Sequence, residues 1–181
     1  MDKISINKLS DDLLNELKDN ANKYRLKISK NTLGTTIIDA GIEAQGSLEA
    51  GLKISEICMG GLGSISINSC NFSDLISWNI TVSASQPVLS CLASQYAGWS
   101  LSHNDFFSLG SGPARALAKR EKIFDEIGYS DQYSKTSIVL ETNKIPQNEI
   151  IEKISKDCKV DKDKITIILA PTTSMVGNLQ V

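Results

Sequence analysis

Apolar residues recur along this chain at helical spacing in some segments and as short continuous runs in others. Helical spacing is found in residues 9–24, 47–59 and 146–158. Short apolar runs typical of buried strands occupy residues 35–39, 136–142 and 165–169. Ser10 is placed to cap the first predicted helix. Because helices and strands alternate, we predict an α/β fold in which a layered mixed sheet has flanking helices.

A β-hairpin is predicted in the middle of the chain. Residues 64–68 and 78–83 alternate apolar and polar side chains, which is typical of strands with one buried face. Turn-forming residues lie between them: Asn71, Ser73 and Asp74. The two strands are therefore expected to pair.

Two prolines mark predicted helix starts. Pro87 opens a helix that continues through Leu92, and Pro113 opens one that runs to Gly128. Residues 97–113 are expected to be irregular. Since the chain has no internal repeat or low-complexity linker, we predict a single α/β unit over residues 1–181, with residues 1–30 as an N-terminal helical packing segment.

Composition and charge narrow the range of partners. The chain has 181 residues, of which 41% are hydrophobic and 22% charged, so it has the apolar content to form a core. Nineteen lysines and arginines against 21 acidic residues give a net charge of -2, which argues against a nucleic-acid or anionic-membrane partner. The N-terminus lacks the apolar stretch of a signal peptide. We therefore expect a cytoplasmic protein.

The metal-ligating residue types are sparse. The four cysteines, Cys58, Cys70, Cys91 and Cys158, are far apart and form no C-x-x-C pair, so we interpret them as reduced structural residues. His103 is the single histidine and cannot build a histidine-based metal cage. A metal site is not expected.

Several segments are rich in glycine, proline, serine and threonine at the ends of predicted elements. They are residues 39–51, 60–63, 94–102, 110–118 and 170–177. Small residues allow a ligand to approach the backbone, and unpaired backbone N–H groups are found at such ends. We expect these segments to converge on one cleft. Ordinary turn chemistry is the alternative interpretation of each segment.

Residues 110–118, GSGPARALA, carry the most specific signal among these segments. A glycine loop runs into the helix opened by Pro113, and Arg115 lies in its first turn, an arrangement suited to a carboxylate or phosphate. The segment is neither a P-loop nor a dinucleotide-binding fingerprint. Upstream, Tyr96 and Trp99 are three residues apart, and their rings are placed either to stack on a heterocycle or to join the core.

Taken in order, the motifs DAGIEAQGSLEAG, CMGGLG, ASQYAGWSLS, LGSGPARALA and LAPTTSMVGNLQV closely resemble the methenyltetrahydromethanopterin cyclohydrolase family. The resemblance begins near Thr35 and implies a cytoplasmic α/β enzyme, typically a homotrimer, with a cleft between two lobes. Such an enzyme hydrolyses 5,10-methenyltetrahydromethanopterin to N5-formyltetrahydromethanopterin in the one-carbon metabolism of methanogenic archaea and some methylotrophic bacteria. No metal or redox cofactor is expected, because this substrate is already a cationic electrophile.

The same motifs supply the predicted substrate-binding residues. They are Ser94, Gln95, Tyr96, Trp99, Gly110, Ser111, Gly112, Pro113, Ala114, Arg115, Pro171, Thr172, Thr173 and Ser174. We expect the pterin to lie against the first aromatic segment and the glycine loop, and Arg115 to hold an anionic group.

The resemblance places the family's catalytic arginine and glutamate a few residues beyond Val181, so no catalytic residue is assigned in this chain. The sequence thus resembles the N-terminal part of a two-lobed cyclohydrolase, and we expect little or no turnover from it alone. Glu43, Glu49 and Glu56 are acids of the resembling region, for which surface or structural roles are the preferred interpretation. A non-catalytic pterin-binding or assembly module is the alternative function. A phosphometabolite enzyme that uses Gly110–Arg115 as its anion site is a third hypothesis.

Overall fold

The computed structural model describes residues 4–72 and 75–180. Its helices are α1 (Ile6–Asp19), α2 (Leu48–Cys58), α3 (Ala114–Ala118), α4 (Ile123–Ile127), α5 (Asn148–Cys158) and α6 (Met175–Gln180). Its strands are β1 (Lys27–Lys30), β2 (Thr36–Asp39), β3 (Gly63–Phe72), β4 (Leu75–Ala84), β5 (Trp99–His103), β6 (Phe106–Ser111), β7 (Thr136–Leu140) and β8 (Ile165–Leu169). A π-helical segment covers Val88–Gln95, and a 3-10 turn covers Lys162–Lys164.

A mixed sheet forms the centre of the molecule. Among the described residues it has six strands in the order β1-β2-β8-β7-β6-β5. Strands β2, β8 and β7 run parallel, whereas β1, β6 and β5 are antiparallel to their neighbours. The predicted layered α/β fold with a mixed sheet is confirmed.

Helices cover both faces of this sheet. Successive side chains of its central strands point to opposite faces, and each face is buried against a different set of helices. On one face, Ile138 and Ile167 belong to a buried cluster that includes apolar residues of α5. On the other face, Val139 and Ile168 belong to a second cluster with residues of α1 and α2. This two-sided burial explains why β7 and β8 are continuous apolar runs in the sequence.

The first helix begins earlier than predicted. Ser5, not Ser10, is its cap: the Ser5 hydroxyl accepts a hydrogen bond from the Lys8 amide at 3.1 Å. Ser10 is buried inside the helix and donates to the carbonyl oxygen of Ile57. The Asp131 carboxylate accepts bonds from the Ser5 hydroxyl and the Asn7 amide, so a distant residue fixes the start of α1.

Residues 97–113, predicted to be irregular, instead form the antiparallel strands β5 and β6. The single helix predicted from Pro113 to Gly128 is also wrong, since the chain breaks at Lys119, whose φ of 47° is left-handed. Strand β1 was not predicted, because all four of its residues are exposed and it has no apolar face.

The predicted hairpin of β3 and β4 is confirmed and lies outside the central sheet. Its predicted turn residues Ser73 and Asp74 lie outside the described residues, as does the side chain of Cys70. None of the helices in the described part of the chain has the length and apolar character needed to cross a membrane.

Candidate functional site

The parallel strands β2, β8 and β7 end together at one edge of the sheet. Asp39, Leu169 and Leu140 are paired across neighbouring strands at their carboxyl ends. Two backbone bonds continue the pairing beyond the strands, from Ala40 N–H to the Leu169 carbonyl and from Ala170 N–H to the Leu140 carbonyl, both at 3.0 Å. In open α/β sheets, ligands bind at this carboxyl edge.

Two depressions lie at this edge and another adjoins them, and we call the three together the edge groove. The first, of about 280 Å³, is lined by Ser55, Met59, Ile65, Ile80, Val82, Cys91, Gln95, Asn178, Leu179 and Gln180. The second, of about 80 Å³, is lined by Gln95, Ala97, Leu109, Ser111, Val139, Glu141 and Gln180. The third, of about 220 Å³, is lined by Phe107, Glu141, Thr142, Asn143, Pro171, Thr172 and Thr173. The depressions adjoin because Gln95 and Gln180 line the first two and Glu141 lines the last two.

Gln95 reaches the groove because the π-helical segment ends beside strand β6. The Ser111 hydroxyl donates to the Gln95 carbonyl at 2.6 Å. The Ser94 hydroxyl is fully buried and donates to the Cys58 carbonyl at 2.5 Å, which ties the segment to the end of α2. Of the predicted residues in this region, Gln95 and Ser111 line the groove, whereas Ser94 anchors it.

Arg115 does not reach the groove, and the prediction that it holds an anion is wrong. The residue is 0% exposed, and its Nε donates to the Glu121 carboxylate at 2.9 and 3.1 Å. Its Nη1 donates to the carbonyl oxygens of Leu92 and Ser94 at 3.0 and 2.9 Å. The guanidinium is therefore already paired with internal acceptors, and its charge is compensated by Glu121.

The predicted anion cradle is also absent from the backbone of the glycine loop. The Gly112 amide donates to the Ser94 carbonyl at 2.9 Å, and the left-handed φ of 104° at Gly112 suits only glycine. Pro113 has no amide hydrogen, and Ala114 is fully buried. Gly110 pairs with Trp99 and Leu140 inside the sheet. This loop serves as scaffold, because Gly110 and Gly112 take part in internal backbone pairing and Pro113 has no amide hydrogen to offer.

The two aromatic residues have different surroundings. Trp99 is only 3% exposed and belongs to the cluster on the α5 face, so its side chain is a core residue and the stacking interpretation is wrong. Tyr96 is 53% exposed, and its ring centre lies 5.3 Å from the guanidinium carbon of Arg115. Tyr96 thus covers the buried arginine and does not line the edge groove.

The turn after β8 contributes the far wall of the groove. Pro171, Thr172 and Thr173 line its third depression, and their role in substrate binding stays a prediction. Ser174 has a structural role: its hydroxyl donates to the Pro171 carbonyl at 2.7 Å and accepts from the Gly177 amide at 3.0 Å. Gly177 packs so closely on that carbonyl that a side chain there would overlap it.

Glu141 and Gln180 are two polar groove residues among those that sequence reasoning missed as candidates. Glu141 was included in the predicted strand, yet the structure places it one residue beyond the end of β7, with its side chain exposed. Its position directly after a fully buried strand was the available signal, because that position marks the carboxyl edge. Among the described lining residues, Glu141 is the one with a carboxylate.

Other acids near this edge have structural or surface roles. Asp39 is partly buried, which acts to raise the pKa of its carboxyl, but hydrogen bonds from four successive backbone amides outweigh burial and hold that pKa below its usual value. Glu43 pairs with Lys27 at the surface, and Glu56 pairs with Lys53. Glu49 lies in the first turn of α2 and is exposed. None of these four lines the described groove.

The buried thiols are not activated. Burial raises the pKa of the Cys58 thiol to about 12, and burial followed by the nearby Asp157 raises that of Cys158 to about 12. Both are therefore protonated near neutral pH, as expected for structural cysteines. Cys91 lines the first depression of the groove. Within residues 4–72 and 75–180, no three of the histidine, cysteine and acidic side chains are grouped to hold a metal ion.

Comparison with known proteins gives one consistent result. A family model described as Cyclohydrolase (MCH) matches residues 5–181. A protein of Methylobacillus flagellatus named methenyltetrahydromethanopterin cyclohydrolase is 51% identical over 177 residues, covering 98% of this chain and 54% of that protein. Proteins of the same name from Xanthobacter autotrophicus and Methanosarcina barkeri are 46% and 36% identical, with 93% and 98% of this chain and 50% and 56% of those proteins covered. The chain spans about half the length of these curated relatives.

Proposed function

The chain belongs to the cyclohydrolase (MCH) family, and from that premise we propose that it functions in the hydrolysis of 5,10-methenyltetrahydromethanopterin. In this reaction, water adds to the methenyl carbon and loses a proton. One carbon–nitrogen bond of the five-membered ring then breaks, leaving the carbon as the formyl group of N5-formyltetrahydromethanopterin. We place the reaction in one-carbon metabolism because the resemblance to the family implies that setting, and similar proteins of that name come from Methylobacillus, Xanthobacter and Methanosarcina.

The observation that carries this proposal is the edge groove. Its walls include residues from four of the motif segments that resemble the family: Met59, Gln95 with Ala97, Leu109 with Ser111, and Pro171 to Gln180. These segments are far apart in the sequence and meet at the carboxyl edge of the parallel strands, where α/β folds bind small molecules.

We assign binding and orientation to the groove residues. Glu141 is exposed and lines two of the depressions, so its carboxylate would attract the cationic methenyl ring. Gln95 and Gln180 line the same depressions, and a carboxamide has the donors and acceptor suited to the polar edge of a pterin. Activation of water is assigned to the family's arginine and glutamate, which the resemblance places beyond residue 181.

We further propose that the protein works in the cytoplasm as a homotrimer, without a metal, a redox cofactor, a nucleic acid or a membrane as partner. The resemblance to the family supports the trimer and the location. The cationic substrate supports chemistry that uses only a positioned water and a base. The net charge of -2 supports the lack of a polyanionic partner.

The proposed activity is tested by following the loss of methenyltetrahydromethanopterin absorbance. Three samples are compared: the 181-residue chain, the chain co-expressed with the half of the Methylobacillus flagellatus relative that it does not span, and buffer alone. We expect turnover above buffer in the second sample and little in the first, because a positioned general base contributes about 10² to 10⁴ in rate.

Each outcome of this comparison decides between functions. Substrate binding without turnover in the co-expressed sample would favour the non-catalytic module over the enzyme. Equal turnover by the chain alone would move the general base into this chain and make Glu141 the first residue to substitute. Absence of both binding and turnover would contradict the proposal.

A further inference from the structure

The hairpin of β3 and β4 has one apolar face that the described chain leaves largely uncovered. Its register pairs Ile65 with Val82 and Ile67 with Ile80, so that their side chains lie on the same face as Trp78. Trp78, Val82 and Ile80 are 71%, 56% and 45% exposed. The opposite face carries exposed polar residues: Ser64, Ser66, Asn68, Asn79, Thr81 and Ser83.

This distribution is unusual for a surface. A two-stranded ribbon is marginally stable in water unless its apolar face packs against something. Strand β3 contacts α2 near its start, where Gly63 lies against Met59, but the tryptophan at the far part of β4 remains exposed. A continuous row of exposed apolar side chains marks an interaction surface.

The apolar face is continuous with the edge groove. Ile65, Ile80 and Val82 line its first depression together with Gln95 and Gln180. A partner seated on the hairpin would therefore also border the groove, and would contribute a wall to the site.

We infer that this face binds the half of the cyclohydrolase polypeptide that the relatives have in addition to the half matched by this chain. The alignment with the Methylobacillus flagellatus relative takes in 98% of this chain but only 54% of the relative. Nearly half of the relative's polypeptide therefore has no counterpart in residues 1–181. A portion of that size is large enough to cover a ten-residue ribbon and its neighbouring groove. The inference rests on family membership and not on the proposed activity.

Trp78 provides a direct probe of docking. The chain has two tryptophans, and Trp99 is buried whereas Trp78 is exposed. We would co-express the chain with the unmatched half of the Methylobacillus flagellatus relative and measure association by light scattering. Acrylamide quenching of Trp78 fluorescence, taken as the difference from a Trp78→Phe variant, would report whether that side chain is covered.

Matched variants separate the two faces of the hairpin. The double variant Ile80→Ser and Val82→Ser alters the apolar face, and the double variant Asn79→Ser and Thr81→Ser alters the polar face of the same strand. We expect the first to weaken association by about tenfold or more and the second by less than about twofold, because buried apolar contacts dominate such interfaces. Quenching of Trp78 should fall when the two halves associate.

Two results would overturn the inference. One is association that the apolar-face variant leaves unchanged, or a Trp78 that stays accessible in the complex. The other is a chain that shields Trp78 by itself, in an oligomer that the apolar-face variant dissociates, since a second copy would then be the occupant. If the separate half does not fold, the same quenching measurement is made on a fusion of the chain to the relative's unmatched half. An accessible Trp78 in that fusion also overturns the inference.

Discussion

At the scale of single residues, Arg115 supports a wall of the groove without lining it. Its guanidinium binds the carbonyls of Leu92 and Ser94, the last turn of the segment that carries Gln95 into the groove. The glycine loop, the helix start and Arg115 were all visible in the sequence, and together they led to the prediction of an anion site. What the sequence did not reveal was the break at Lys119, which turns the chain so that Glu121 meets Arg115.

Trp99 gives a test at the same scale. Replacing Trp99 by alanine should lower the free energy of unfolding by about 3 to 5 kcal/mol, because a nearly fully buried ring leaves a cavity in the core. Urea denaturation would measure this change, with Trp78→Ala as the exposed control, expected to change stability by less than about 0.5 kcal/mol. A Trp99→Ala protein that keeps its stability but loses substrate affinity would show that the ring contacts the ligand.

At the scale of elements, burial decides which predictions succeeded. Strand β8 is buried on both faces, and its observed limits, Ile165–Leu169, match the predicted run. Strand β5 alternates buried and exposed residues, yet its pattern was masked by the serines and glycines that surround it. Strand β1 is exposed along its length, so no apolar period distinguishes it from a loop. The edge groove forms where these elements come together. The position of Glu141 in that groove depends on this pairing, and the local sequence pattern around Glu141 does not reveal it.

The Arg115–Glu121 pair joins α3 to the turn before α4 and gives a prediction for these elements. Glu121→Gln should destabilise the protein by about 3 kcal/mol, because it leaves the fully buried guanidinium without a counter-charge. The matched control is Lys144→Gln, which removes an exposed pair with Asp105 and should cost less than about 1 kcal/mol. Thermal or urea unfolding of both variants measures the difference. Equal effects would mean that the buried pair has no special structural role.

At the scale of the whole molecule, the account rests on the convergence of distant segments at the carboxyl edge of the sheet. Gln95, Ser111 and residues 171–173 were predicted as binding residues and do line one groove. Of the remaining predicted residues, Trp99 lies in the core, whereas Ser94 and Arg115 hold the segment that carries Gln95. Glu141 and Gln180 also line it. Glu141 lies one residue past β7, a strand that the sequence pattern predicted, and Gln180 is the last residue of α6, within the motif LAPTTSMVGNLQV.

The most direct test of this account is the affinity of the chain for methenyltetrahydromethanopterin, measured by titration for the unsubstituted chain, Glu141→Gln and Glu126→Gln. Glu126 is an exposed acid of α4 that does not line the described groove, so it matches the charge change at a different place. We predict that the unsubstituted chain binds and that Glu141→Gln weakens binding by about tenfold, or about 1.4 kcal/mol, while Glu126→Gln leaves it unchanged. Equal affinities of the three proteins, or no binding by the unsubstituted chain, would contradict the account.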